Sequence, residues 1–377
     1  MTGTILTYLK EQGEIPFSEK PLNEVDSLIL CQFAYLKFDG LVPDVDETAE
    51  PVPVKALSTH PDRERLFSDE RYEKVNRELF LGMTESRRFG GLRLGYYVNL
   101  IEKDWETQFS AVTIFLEDGG TYVAFRGTDE SLVGWREDCN MALHGPIPAQ
   151  QCALKYLKRV AEKVSGSFFL GGHSKGGNLA IYAAMNAAPE LQERILTIYN
   201  MDGPGFRPEV REKSAYDKVS DRIEKILPRS SFIGMLFEQE PRCRVVESKS
   251  LGLFQHNPYS WVVSEDHFIM APDLYQGRKF MDKAINSWIL TLREDQIKTF
   301  IDTLFTILEA SEAEDLVQLE EDKKKSMLGM VGAMKEIDET TRRAIAEILK
   351  SLFEIAGRDA LSELDRKLKE TGKRLKG

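Results

Sequence analysis

The stretch Gly166-Ser-Phe-Phe-Leu-Gly-Gly-His-Ser-Lys-Gly-Gly-Asn-Leu-Ala180 decides how the rest of the chain is read. Its first half, Ser167 to Gly171, is small, apolar and bounded by glycines, as a short buried strand is. Gly172-His-Ser-Lys-Gly176 then fits the G-x-S-x-G pattern of a nucleophile elbow, and Asn178 to Ala188 has the composition of a helix. A turn this tight between strand and helix forces the serine into a strained backbone conformation. The neighbours two positions either side must then lack bulk, and both are glycine. The hydroxyl is presented above a helix N-terminus, where partial positive charge favours developing negative charge. As a bare pentapeptide the pattern is also a common glycine-rich turn. The strand before it and the Ala-rich helix after it give it weight.

Outward from the elbow, Phe109 to Leu116 and Thr121 to Phe125 read as two strands joined across Asp118-Gly-Gly120, a hairpin signal. The second runs straight into Arg126-Gly-Thr-Asp129. Gln150 to Val164 is an amphipathic helix leading to the elbow strand. Downstream, the apolar strand Ile195 to Met201 ends at Asp202-Gly-Pro-Gly-Phe206. Ile223 to Leu227 and Arg244 to Glu247 are weaker strands, with Pro228 and Pro241 as breakers. Strands alternating with helices predict an α/β fold with a mainly parallel sheet flanked by helices, and ligands beyond the strands' carboxyl ends.

Three regions follow. Residues 1–80 form a helical lead-in packed on the core. Asn23 caps a helix there that carries Val25, Leu28, Ile29, Phe33 and Leu36 on one face. Residues 81–283 hold the α/β core. Residues 284–377 form a C-terminal helical region without proline, whose last twelve residues contain six Lys or Arg and one Glu. Such a basic amphipathic end either makes peripheral contact with an anionic membrane or is a solvated helix tail.

The 377 residues are 42% hydrophobic and 29% charged, the balance of a soluble globular protein. A formal net charge of −11 argues against a nucleic-acid partner, which would need a basic face. The four cysteines have neither metal-ligand spacing nor the density of a disulfide scaffold, and read as free thiols in a reducing compartment. Met1 to Pro16 has no apolar core of a signal peptide, and no apolar run is long enough for a membrane span. A cytoplasmic location is the expectation. No phosphate-binding loop or metal-ligand cluster is present, so no cofactor is expected. The oligomeric state is not legible.

A serine hydroxyl needs a base, and the base needs an orienting acid. Of the five histidines, His60 and His144 precede the nucleophile, and His173 lies inside the elbow. His256 and His267 remain, and His256 is preferred because it follows the last strand by a short loop. For the acid, Asp202 ends an apolar strand beside the nucleophile, with Glu224, Glu238, Glu240 and Glu247 as alternatives and a plain turn aspartate as the other reading. The oxyanion donors would be the backbone N–H of Lys175 and that of Thr128, in the loop after an earlier strand. Ser230 to Glu240 is apolar with flanking charge, and is either a lid or a buried helix.

Phe125-Arg-Gly-Thr-Asp129, Trp135-x-x-Asp138 and Gly172-His-Ser-Lys-Gly176 together resemble the class 3 (fungal-type) lipases of the α/β-hydrolase superfamily. Gly-His-Ser-Lys-Gly-Gly-Asn178 and Ser-Ser-Phe-Ile-Gly-Met-Leu236 resemble a bacterial family beside those lipases. The resemblance covers roughly residues 20 to 270. It implies the α/β-hydrolase fold, Ser174 as nucleophile, and Thr128 and Lys175 lining the oxyanion hole. One motif departs: class 3 lipases carry their acid as Asp-x-Val-Pro, where this chain has Lys225-Ile-Leu-Pro228. The acid then sits at Asp202, as in pancreatic-type lipases, or the triad is incomplete. The leading expectation is a serine hydrolase cleaving small-molecule or lipid esters through Ser174, His256 and Asp202. An acyltransferase differs only in the acceptor. The alternative from another class is an inactive hydrolase scaffold serving protein or membrane interaction.

Overall fold

The computed structural model describes residues 2–67, 72–102, 107–117, 119–128, 146–206, 216–231, 233–236, 243–250 and 255–272, together with Glu339. Contacts divide the chain into two units: residues 1–127, 145–250 and 255–274 form the first, and 128–144, 251–254 and 275–377 the second. Of the second unit only Thr128 and Glu339 are described, so the expected C-terminal helical region lies, apart from Glu339, outside the described residues.

The strands of the first unit are β1 (Thr2–Gly3), β2 (Val52–Pro53), β3 (Arg93–Glu102), β4 (Thr107–Phe115), β5 (Thr121–Phe125), β6 (Phe168–His173), β7 (Ile195–Met201), β8 (Ile223–Pro228), β9 (Cys243–Val246), β10 (Val263–Ser264) and β11 (His267–Phe268). Strands β2 to β9 make one sheet in chain order. From β2 to β5 the pairings are antiparallel, and from β5 to β9 they are parallel. The sheet is therefore mainly parallel, as expected, with the expected hairpin (β4 to β5) feeding into its parallel half. A small separate sheet joins β1, β10 and β11.

The main helices are α1 (Ile5–Gln12), α2 (Glu24–Phe33), α3 (Glu73–Glu85), α4 (Pro148–Lys163) and α5 (Lys175–Met185). Strand alternation sorts them onto two faces. Tyr122, Ala124, Tyr199 and Met201 point into a cluster with Ile5, Leu28, Ile29 and Phe80 from α1, α2 and α3. Val123, Phe125 and Ile198, the intervening residues, pack with Tyr156 and Leu157 of α4 and Leu179 and Ile181 of α5. The N-terminal lead-in is thus one outer layer of the first unit and shares its core.

Strand β3 was not anticipated. Its sequence, Arg93-Leu-Gly-Tyr-Tyr-Val-Asn-Leu-Ile-Glu102, lacks clean alternation because the register shifts between Gly95 and Val98. Tyr96 has φ of 54°, and the extra residue flips the pleat. Leu94 packs on the α1–α3 side, while Tyr96, also even-numbered, packs on the α4–α5 side.

Asn23 accepts hydrogen bonds from the backbone N–H groups of Val25 and Asp26, the cap expected of it. Asp26 then goes further than capping. Both its side chain and that of Arg88 are fully buried, and they pair bidentately, with Arg88 Nε donating to Asp26 Oδ1 at 2.8 Å and Nη2 bonding Oδ2. Arg88 spends its remaining N–H groups on the carbonyls of Ile15, Lys20 and Pro21. Tyr8 donates to Asp26 Oδ1 at 2.9 Å, and the Arg88 guanidinium lies 4.0 Å over the Phe17 ring. One buried ion pair thereby ties the N-terminal residues to the segment leading into β3.

Both sheet edges are blunted. At one end β2 is two residues long and includes Pro53. At the other, the outer side of β9 is engaged by residues 269–271: Ala271 N–H donates to the Val245 carbonyl, and Val246 bridges Met270.

Candidate active site

The elbow is built by close backbone approach. A methyl group on Gly172 would overlap the backbone of Gly176, and one on Gly176 would overlap the carbonyl of Phe125 at the end of β5. Between them Ser174 adopts φ 56°, ψ −131°, a region costly for any residue with a Cβ. Two backbone bonds hold it there. Ser174 N–H donates to the Met201 carbonyl at 2.9 Å, and its own carbonyl accepts from Gly177 N–H at 2.9 Å. Helix α5 starts at Lys175, earlier than the composition suggested, so only Ser174 separates strand from helix. The Lys175 N–H accordingly lies in the first turn of the helix.

Asp202 follows β7 directly and is itself in the left-handed region, at φ 54°, where aspartate is tolerated better than most residues. Its N–H donates to the Ile226 carbonyl at 2.9 Å. The loop behind it is fixed by Gly203 N–H donating to Asn200 Oδ1 at 2.7 Å and by buried Lys225 donating to the Gly203 carbonyl at 2.8 Å. Among the described residues the fully buried carboxylate has two side-chain partners. Ser231 Oγ donates to Oδ1, and His256 Nδ1 lies 2.7 Å from Oδ2.

His256 is buried, and its neighbours hold its segment in place. Gln255 accepts from Ser230 N–H at 2.7 Å through its side chain and from Trp261 Nε1–H at 2.8 Å through its carbonyl. Asn257 caps the short turn Pro258–Ser260 by accepting from Tyr259 N–H at 3.0 Å. With Nδ1 committed to the carboxylate, Nε2 is the ring nitrogen on the opposite side, the one a base would use.

The structure therefore brings Asp202 and His256 together, and Ser174 binds the carbonyl of Met201, the residue just before Asp202. The other candidates lie apart. His267 is more than half exposed and pairs with Asp266 at 3.1 Å. Glu224 and Glu247 pair with Arg244 and Arg229. Glu238, Glu240, Asp129 and Asp138 lie outside the described residues. Arg126 reaches Asn99 Oδ1 at 2.9 Å. Thr128 is buried and directly follows Gly127. Within Ser230 to Glu240, Ser231, Ile233 and Leu236 are buried, and the Cβ position of Gly234 abuts Asp202 Oδ1. This part of the segment cradles the carboxylate and is not an exposed lid.

Sequence reasoning missed three contributors. Ser231 has no signal beyond its place in Ser-Ser-Phe-Ile-Gly. His173, inside the elbow, meets the backbone carbonyl of His256 with Nε2 at 2.8 Å. Tyr35, from the N-terminal lead-in, places its hydroxyl 3.2 Å from His173 Nδ1. Burial first, and the nearby His256 second, hold the His173 pKa well below the usual imidazole value, so the ring is neutral.

Among the described residues no helix is long and apolar enough to cross a membrane, and no group of three or more His, Cys, Asp or Glu is arranged to hold a metal ion. Comparison with curated proteins gives no match. Among solved structures, one described as "Crystal structure of M37 lipase" is similar at 13% identity and a TM-score of 0.38, over 89% of this chain and 98% of that one. A family model described as Mbeg1-like matches residues 83–306, a span that runs from α3 through the elbow to beyond His256. With more than half of its residues matched, the chain belongs to the Mbeg1-like family, a lipase-like group.

Proposed function

We propose that this protein is a serine hydrolase of carboxylic esters, acting on acyl or lipid substrates. The observation that carries the reading is the buried 2.7 Å contact between His256 Nδ1 and Asp202, beside a serine strained at an elbow. Ser174 Oγ attacks the ester carbonyl as His256 Nε2 takes its proton. The carboxylate of Asp202 keeps the remaining imidazole hydrogen on Nδ1 and stabilises the imidazolium. The Lys175 N–H stabilises the tetrahedral oxyanion, and Thr128 is the residue proposed from sequence for the second donor. His256 then returns the proton to the departing alcohol, leaving an acyl group on Ser174. Water, activated by the same histidine, releases the acid and restores the hydroxyl.

The test is labelling of the purified protein with a fluorophosphonate, beside Ser174→Ala, with a series of p-nitrophenyl esters of increasing chain length on both samples. Labelling and turnover present in the wild type and absent from the variant are expected, with longer chains preferred. A folded wild type that neither labels nor turns over any ester, even with detergent or lipid present, would overturn the proposal.

A further inference from the structure

Two groups outside the Ser174–His256–Asp202 set form a series, Tyr35 to His173, that ends on the main chain of His256. The Nε2 of His173 lies 2.8 Å from the His256 carbonyl. A carbonyl only accepts, so Nε2 carries the hydrogen. A neutral imidazole has one N–H, which leaves Nδ1 bare and able only to accept. The group 3.2 Å from it is the Tyr35 hydroxyl, which must donate for that bond to exist. A second acceptor, the His173 carbonyl, is 3.5 Å from the same hydroxyl and makes the weaker contact. The direction of each bond in the series Tyr35 to His173 to His256 follows from this.

The series matters because the two imidazoles are in contact. Their centroids are 4.5 Å apart and their planes 34° from parallel. If His173 took its other tautomer, the hydrogen would move to Nδ1 and the Nε2 lone pair would face the His256 carbonyl. Two acceptors would then oppose each other at a buried 2.8 Å contact, and the segment carrying the base would have to shift. That segment is the one that presents Nδ1 to Asp202. The hydroxyl of Tyr35 opposes this change by occupying Nδ1 as donor. It also fills the space beside the elbow, where a methyl group on Gly127 would overlap it.

We propose that Tyr35 and His173 form a tautomer lock that positions the base. Tyr35 keeps the hydrogen of His173 on Nε2, and His173 holds the main chain of His256 so that its ring meets Asp202. Both are positioning residues. The effect on rate rests on the hydrolase reading above, whereas the tautomer itself does not.

The experiment uses the full chain labelled with ¹⁵N-histidine, as wild type and as Tyr35→Phe. Imidazole ¹⁵N–¹H correlation spectra report each tautomer. The expected wild-type result is a neutral His173 with its hydrogen on Nε2. In Tyr35→Phe the Nδ1–H form becomes populated, and the signal of the proton between His256 and Asp202 shifts or broadens. On the same samples, the fluorophosphonate labelling rate and kcat fall about tenfold, the worth of one hydrogen bond, with KM little changed. A wild-type His173 with its hydrogen on Nδ1 overturns the lock, and this arm needs no variant to fold. So does a Tyr35→Phe protein that keeps the Nε2–H form or labels at the wild-type rate. A wild type that never labels defeats the hydrolase reading instead, and the tautomer spectra still decide the lock.

Discussion

Asp26 and Asp202 are the same chemical group in the same degree of burial, each with no exposed side-chain surface. Their partners differ. Asp26 faces a guanidinium whose charge is permanent and whose hydrogen bonds are all committed to fixed backbone carbonyls and to Asp26. Asp202 faces an imidazole, a side chain that has both a neutral and a protonated form, and a hydroxyl that steadies the other oxygen. The first arrangement can only hold two segments together. The second pairs the carboxylate with a group that has two protonation states. A buried carboxylate is thus a clamp or, on the proposed reading of Asp202, the group that orients a base, according to what its partner can do.

Three measurements would break or sharpen that contrast. The largest effect is expected from Asp202→Asn. It keeps the volume but leaves His256 without an anion to fix its tautomer, and kcat should fall by about 10⁴ with little loss of stability. An Asp202→Asn enzyme within tenfold of wild type would make Asp202 a turn residue after all. Next is Arg88→Met, which leaves Asp26 charged, buried and without its cation. Urea unfolding should show a loss of about 3–5 kcal/mol, while the specific activity of the folded fraction stays at the wild-type level. A stable Arg88→Met protein with reduced kcat would move the clamp into the active site and end the distinction.

The smallest effect concerns pH. An unfolded histidine binds its proton near pH ~6.5, whereas buried His173 stays neutral to well below that value. Below about pH 6.5 the unfolded state therefore binds the extra proton, and stability falls as pH falls, by up to about 1.4 kcal/mol per pH unit from this group. Arg88 keeps its charge throughout the same range. Urea midpoints across it should decline for wild type and decline less steeply for His173→Gln. Equal slopes would mean that His173 is not held neutral.

What could be read from the sequence divides along the same line. The elbow at Ser174 and the meeting of Asp202 with His256 were legible because the roles proposed for them constrain the neighbouring text. The elbow demands Gly172 and Gly176, the proposed acid ends an apolar strand, and the proposed base comes last in chain order. Asn23 was legible because a cap needs only its own helix. Arg88, Tyr35 and Ser231 were not, because each acts on a residue distant in the chain through an ordinary side chain. Nothing local distinguishes Tyr35 from any tyrosine after a helix, and its partner His173 is 138 positions away. Strand β3 was hidden for a different reason: the bulge at Tyr96 destroys the period on which recognising a strand depends.

The blunted edges of the main sheet bear on how this protein behaves at high concentration. A sheet with a long flat rim offers a row of vacant backbone donors and acceptors to any passing extended chain, the first step toward fibrils. Here one rim ends in a two-residue strand containing a proline, which has no N–H to offer. The opposite rim already uses Val245 and Val246 to bind residues of its own chain. Among the described residues, neither β2 nor the Val245–Val246 side of β9 is therefore a good template for strand-by-strand growth.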